Sequence, residues 1–108
     1  MNVIEKLYIN GFKKDNKVKK IISKINKCKT INSLYVITLP LFEDGILEIY
    51  SYNQLLQPYY KAIGDKIYIL GIAPDKSLAE EIITMMVQEL LDCGKELSRE
   101  SIIEYLEI

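Results

Sequence analysis

The stretch Lys66-Ile67-Tyr68-Ile69-Leu70-Gly71-Ile72-Ala73 decides how this chain folds. It is an apolar run with a single Gly, and it leads directly into Pro74-Asp75-Lys76-Ser77 and a helical pattern from Leu78 to Cys93. Odd and even positions are alike apolar, so neither face of such a strand suits solvent. The run reads as a central strand, covered on both sides, that feeds a long helix.

On the C-terminal side, Ser77 with Glu80 forms a capping box for that helix, and Asp75 is the alternative N-cap. Leu78, Ala79, Ile82, Ile83, Met86, Leu90 and Cys93 are expected to face inward, and Gly94 is a natural stop. Ser98 opens a last helix with Ile102, Ile103 and Leu106 as its apolar face.

On the N-terminal side, Leu34 to Leu39 reads as a strand; Pro40 has no N–H for a ladder, so at that end the strand is an edge, a bulge or finished. Asp44-Gly45 predicts a tight hairpin turn, and Ile46 to Tyr50 the returning strand. Asn53 is an N-cap for a crossover helix through Leu55, Leu56, Tyr59 and Tyr60. Pro58 either starts that helix late or bends it. Gly64-Asp65 ends the helix, and the crossover implies a right-handed parallel connection to the central strand.

The front of the chain predicts two helices. Asp15 or Asn16 caps one that runs to about Lys27, with Val18, Ile21, Ile22 and Ile25 as its apolar stripe. Val3, Ile4, Leu7 and Tyr8 recur at helical spacing between Asn2 and the Asn10-Gly11 stop, which predicts a short helix over 2–9, a strand being the alternative. The expectation is one α/β domain over residues 1–108, with α+β as the variant class. It has a Lys-rich helical segment (1–30) and an α/β body (31–108). The body holds a small three-stranded mixed sheet with a β-hairpin, a crossover helix and a long C-terminal helix.

With 108 residues, 49% hydrophobic and 27% charged, the chain has the composition of a single globular domain. The net charge of −1 hides an asymmetry. Residues 1–30 hold nine Lys against Glu5 and Asp15, while the rest holds five basic and thirteen acidic residues. Lys17, Lys20, Lys24 and Lys27 on the second helix are therefore candidate anion contacts, with ordinary solvated lysines as the plainer reading. Two front helices resemble a helix-turn-helix only loosely. That half has no Arg to fork onto base edges, so nucleic acid is the weaker partner class.

No His is present, which removes Ser-His and Cys-His nucleophile pairs and mixed zinc sites. Cys28 and Cys93 lack metal spacing and are expected reduced and at least partly buried, as in a cytoplasmic protein. The carboxylate pairs Glu43-Asp44 and Glu80-Glu81 sit where turns and helix starts favour acids, so no catalytic residue, metal or cofactor is assigned. The junction Ala73–Ser77 is a candidate small-ligand or enzyme site because ligands bind beyond strand carboxyl ends. It lacks a Gly-rich phosphate loop, and Asp75 would repel an anion. No run approaches the about 20 apolar residues of a membrane span, and the N-terminus has no secretory pattern.

Eight Tyr against two Phe is a skew, and Tyr50, Tyr52, Tyr59 and Tyr60 are the candidate interaction residues, with Tyr59 and Tyr60 the more exposed. The run from Leu47 to Tyr60, together with Ile67 to Ala73, resembles a stretch of short uncharacterised proteins of low-GC Gram-positive anaerobic bacteria. The likeness spans roughly residues 34 to 106 and leaves the Lys-rich front as an extension; it implies no activity. The leading expectation is a small non-catalytic cytoplasmic interaction or regulatory protein acting through a sheet edge or the Tyr-rich face. A homodimer is the simplest partner for a small sheet with open edges.

Overall fold

The computed structural model describes residues 1–42 and 45–108. Among the described residues, four strands, not three, form one mixed sheet. They are β1 (Asn2–Ile9), β2 (Tyr35–Thr38), β3 (Glu48–Ser51) and β4 (Tyr68–Ala73), in spatial order β1-β4-β2-β3. β1 runs parallel to β4, while β2 is antiparallel to both β4 and β3. The helices are α1 (Asp15–Asn26), α2 (Pro58–Lys61), α3 (Lys76–Asp92) and α4 (Arg99–Leu106), with 3-10 turns over Tyr52–Leu56 and Gly64–Lys66. This is an α+β fold with helices on both faces of the sheet.

β4 occupies the interior position that its uniform apolarity demands. Ile69, Leu70, Ile72 and Ala73 are fully buried. Leu70 and Ala73 face a core built with α3 and α4, containing Ala79, Ile82, Met86, Leu90, Ile102 and Leu106. Ile67, Ile69 and Ile72 face a second core with Val18, Ile21 and Ile25 of α1 and Tyr52 and Leu55 of the first 3-10 turn. Each such fully buried Ile or Leu stabilises the fold by about 1.5–3 kcal/mol. Gly71 marks a bulge. Ile37 pairs with Gly71 but Thr38 pairs with Ile69, so Leu70 is the extra residue. A Cβ on Gly71 would lie 3.1 Å from Ile37 Cδ1 and 3.2 Å from Ile82 Cγ2, on the α3 side.

The expected helix over 2–9 is the edge strand β1. Val3 and Leu7 pack on the α1-side core, while Ile4 and Tyr8 belong to the α3-side core. Neighbouring apolar residues thus serve opposite faces, and four residues of β1 (4–7) stand against Leu70 alone. That irregularity sets the two apolar pairs four apart, which imitates the period of a helix. The Lys-rich front is built into the sheet: β1 pairs with β4 and α1 covers one face.

Other boundaries shift for local reasons. Asp75, not Ser77, caps α3, its Oδ1 accepting from the Leu78 N–H at 2.8 Å. Lys14 is the N-cap of α1, which begins at Asp15. The crossover helix shrinks to α2, with Pro58 in its first turn, where a missing N–H costs nothing. β3 and β4 are parallel, as the crossover implied, but β2 lies between them. The Glu43-Asp44 pair, and with Asp44 the first half of the expected Asp44-Gly45 turn, lie outside the described residues. Cys28 and Cys93 are free and exposed, contrary to expectation. Cys28 adopts a left-handed φ of 53° just after α1, and Cys93 is the C-cap of α3, so both side chains leave the apolar stripes of their helices. Among the described residues, no helix is long and apolar enough to cross a membrane.

Candidate functional site: a lysine-lined groove

The carboxyl ends of the parallel strands β1 and β4 lie side by side, and the chain builds a groove beyond them. After β1, Asn10 donates its backbone N–H to the Ile72 carbonyl at 3.2 Å and its side-chain amide to the Leu78 carbonyl at 3.0 Å. Gly11 follows at φ +88°, where a Cβ would stand 2.6 Å from both Leu78 Cδ1 and Pro74 Cδ. Only glycine permits that close approach, and it seats Phe12 and Lys14 beside Pro74.

α1 then forms one wall. Lys14, Lys17, Lys20 and Lys24 recur at intervals of three and four, which places them along one side of a helix. The adjoining stripe of Val18, Ile21 and Ile25 is buried against the sheet, with Ile21 also at the edge of the groove. The other wall is the loop Ile31–Leu34. It is held by Asn53, whose Oδ1 accepts from the Ile31 N–H at 3.0 Å and whose Nδ2 donates to the Ile31 carbonyl at 2.9 Å. The Tyr52 N–H adds a bond to the Leu34 carbonyl at 2.9 Å.

The resulting groove has a volume of about 720 Å³ and is lined by the four lysines, Phe12, Asn16, Ile21, Ile31, Asn32, Ser33, Leu34 and Pro74. No carboxylate is among these lining residues. The ion pairs found among the described residues, Lys6–Glu107 at 3.4 Å and Lys95–Glu104 at 3.1 Å, involve none of the four. The Lys17 ammonium instead sits 5.7 Å from the centroid of the Phe12 ring, a cation–π contact within the groove. Of the lysines expected from sequence, Lys17, Lys20 and Lys24 converge here, while Lys27 lies outside the lining. Lys14, Phe12 and the Ile31–Leu34 wall carry no local signature; the seating of Gly11 on Pro74 and the Asn53 clamp on Ile31 bring them together. From the Ala73–Ser77 junction, Pro74 alone lines the groove, and the Asp75 carboxylate is engaged as the α3 cap.

The tyrosines divide. Tyr52 is 0% exposed and belongs to the α1-side core, so it presents no surface. Its hydroxyl has no partner among the described residues, and burial, with Cys28 nearby, pushes its pKa up to about 12. Tyr50, Tyr60 and Tyr59 come together with Phe42. Tyr50 and Tyr60 meet edge-on at 5.7 Å, Tyr60 and Tyr59 at 5.2 Å, and Phe42 stacks on Tyr59 at 6.1 Å. The Tyr50 hydroxyl donates to Glu48 Oε1 at 3.0 Å, and its pKa is raised by burial and then by that carboxylate.

A third cluster was not foreseen. Glu89 of α3 accepts from the hydroxyls of Tyr8 in β1 and, at 3.4 Å, Tyr105 in α4. Burial and the Glu89 carboxylate raise both phenols. The cluster ties three elements of the α3-side core together and adjoins no cavity able to hold a ligand. Among the described residues, no group of three or more Cys, Asp or Glu is placed to hold a metal ion. Comparison with known proteins returned no matching family model, no matching curated protein and no matching solved structure.

Proposed function

We propose that the chain is a small non-catalytic binding protein whose groove between α1 and the Ile31–Leu34 loop takes a phosphate-bearing ligand. One observation carries this: four lysines line a single groove that no carboxylate enters. Clustered ammonium groups without internal counter-ions raise the local concentration of anions, and their three donors each suit phosphate oxygens. The groove falls in the size range of small-molecule sites, and its place beyond parallel strand ends is where ligands bind in open sheets. Its polar lining consists of amines, two amides and one hydroxyl, a set that holds and orients a ligand. The two exposed, unpaired thiols fit a reducing compartment, which is the cytoplasm.

The test is titration of the protein with tripolyphosphate and, separately, a short single-stranded oligonucleotide, at low and moderate salt. The wild type is compared with the Lys17→Gln/Lys20→Gln double variant. Binding that falls with salt and drops at least about ten-fold in the variant supports the reading. Affinity unaffected by the variant, or no binding of either probe, defeats it. Response to tripolyphosphate alone identifies a small phosphorylated ligand; response to the oligonucleotide alone identifies nucleic acid. Deleting residues 1–30 is not an equivalent experiment, because it also removes β1 and α1 from the sheet and core.

A second reading, a protein contact at the opposite end of the sheet, is favoured by one observation. Phe42 and Tyr59 stack on each other while 47% and 65% exposed. The outer edge of β3 beside them, with Tyr50, is unpaired among the described residues.

A further inference from the structure

We infer that the aromatic face docks an acidic, apolar peptide segment of a partner protein. The inference rests on the protein-contact reading and adds the chemistry of the partner. Two clefts meet where β2 ends and β4 begins. The larger, about 840 Å³, is lined by Pro40, Leu41, Phe42, Tyr59, Ala62 and Ile63, with Lys66 and Arg99 as the only charged residues among the described ones. The smaller, about 360 Å³, shares Lys66 and Arg99 and continues over Leu39, Tyr68, Ile103 and Ile108, with Asp65 as its one carboxylate. Lys66 and Arg99 thus stand where the two clefts join, and neither is in an ion pair among the described residues.

Each part of this surface selects a property of the occupant. The aromatic and aliphatic walls gain from covering apolar side chains, and rigid rings lose little entropy in doing so. The two cations select carboxylates at the middle of the path, and the Arg99 guanidinium suits bidentate capture of one. Charge complementarity therefore separates an acidic partner from a second copy docking by the same face. A copy would set Lys66 and Arg99 against their own equivalents, and like charges in register are repelled. The two clefts adjoin at Lys66 and Arg99, so a segment that fills both carries apolar residues on either side of one or two Asp or Glu.

Fluorescence anisotropy tests this with labelled peptides, one carrying Leu and Phe around Glu and one carrying the same apolar residues around Lys. The proteins compared are the full chain, Tyr59→Ser and the Lys66→Glu/Arg99→Glu double variant. All three altered residues are exposed, and circular dichroism confirms that the variants fold. The expected result is preference for the Glu peptide, loss of binding in Tyr59→Ser, and a preference switched to the Lys peptide by at least about ten-fold in the double variant. Binding lost in Tyr59→Ser but indifferent to peptide charge keeps the protein-contact reading and overturns the acidic partner. If neither peptide binds, the inference is overturned, and light scattering decides what remains. A dimer that Tyr59→Ser makes monomeric assigns the face to a second copy, whereas an unchanged mass removes the protein-contact reading as well.

Discussion

Asn53 closes two hydrogen bonds on the backbone of a single residue, Ile31, accepting from its N–H at 3.0 Å and donating to its carbonyl at 2.9 Å. The clamp reaches across 22 residues and holds the loop that forms one wall of the lysine groove. Asn53→Leu removes both bonds without altering any charge. The expected loss is about 1–2 kcal/mol, because both groups are exposed and regain water, read as a shift in the urea midpoint. Weaker tripolyphosphate binding is expected with it, since the wall loses its anchor. A variant as stable and as tightly binding as the wild type would show the clamp to be idle.

Gly11→Ala should be among the most damaging single changes in the chain. The new Cβ meets Leu78 and Pro74 at 2.6 Å and is placed at φ +88°. A loss above about 2 kcal/mol is expected from crowding and backbone strain together. Gly45→Ala, at φ +99° with nothing within 4 Å, provides the comparison and should lose only about 1 kcal/mol. Equal losses at the two sites would mean that Gly11 is kept for its dihedral angle alone.

Two tyrosine-to-phenylalanine changes should have opposite signs. Tyr52→Phe removes a buried hydroxyl without a partner and is expected to stabilise by about 1 kcal/mol. Tyr8→Phe removes a donor to Glu89 and is expected to destabilise by about 1–2 kcal/mol. Thermal or urea unfolding of the pair decides the matter; a destabilised Tyr52→Phe would point to an unseen partner for that hydroxyl.

Alkaline pH should weaken the fold before any lysine-dependent effect is needed. An unfolded Tyr titrates near pH 10, whereas Tyr52 in the fold is pushed up to about 12 and Tyr8 and Tyr50 are also raised. Between those values the native state holds more protons than the unfolded one, so stability falls as pH rises. Below about pH 10 the contribution of the neutral phenols is complete. Above it, Tyr52 should remove on the order of 1 kcal/mol per pH unit, a contribution that Tyr52→Phe abolishes while those of Tyr8 and Tyr50 remain. A flat urea midpoint from pH 9 to 11 would contradict this.

Much of the fold was legible because its signals are local. Asp75 and Ser98 as caps, the Val18-Ile21-Ile25 stripe, the doubly apolar β4 and the turn-starting Pro58 each express their structure within a few residues. β1 is legible only as the alternative to a helix, for a physical reason: an edge strand placed between two cores, with four residues opposite one, shows the apolar spacing of a helix. Tyr52 is buried although the sequence places it among candidate surface residues, because a Tyr in a polar neighbourhood gives no sign of which way the first 3-10 turn aims its ring. The groove was half visible, as a row of lysines without the wall that faces them.

What the sequence by itself determined is the class of the fold and the charge of its front, since periodicity, caps and lysine spacing are properties of neighbouring residues. Tertiary structure decided that residues 2–9 pair with β4, that Asn53 reaches Ile31, and that Lys66 of the strand approach and Arg99 of α4 line the same clefts. These contacts join residues 22 or more positions apart, where each local conformation is compatible with many partners. Their selection rests on burying both faces of one strand at once, a constraint that exists only when the whole chain has closed around it.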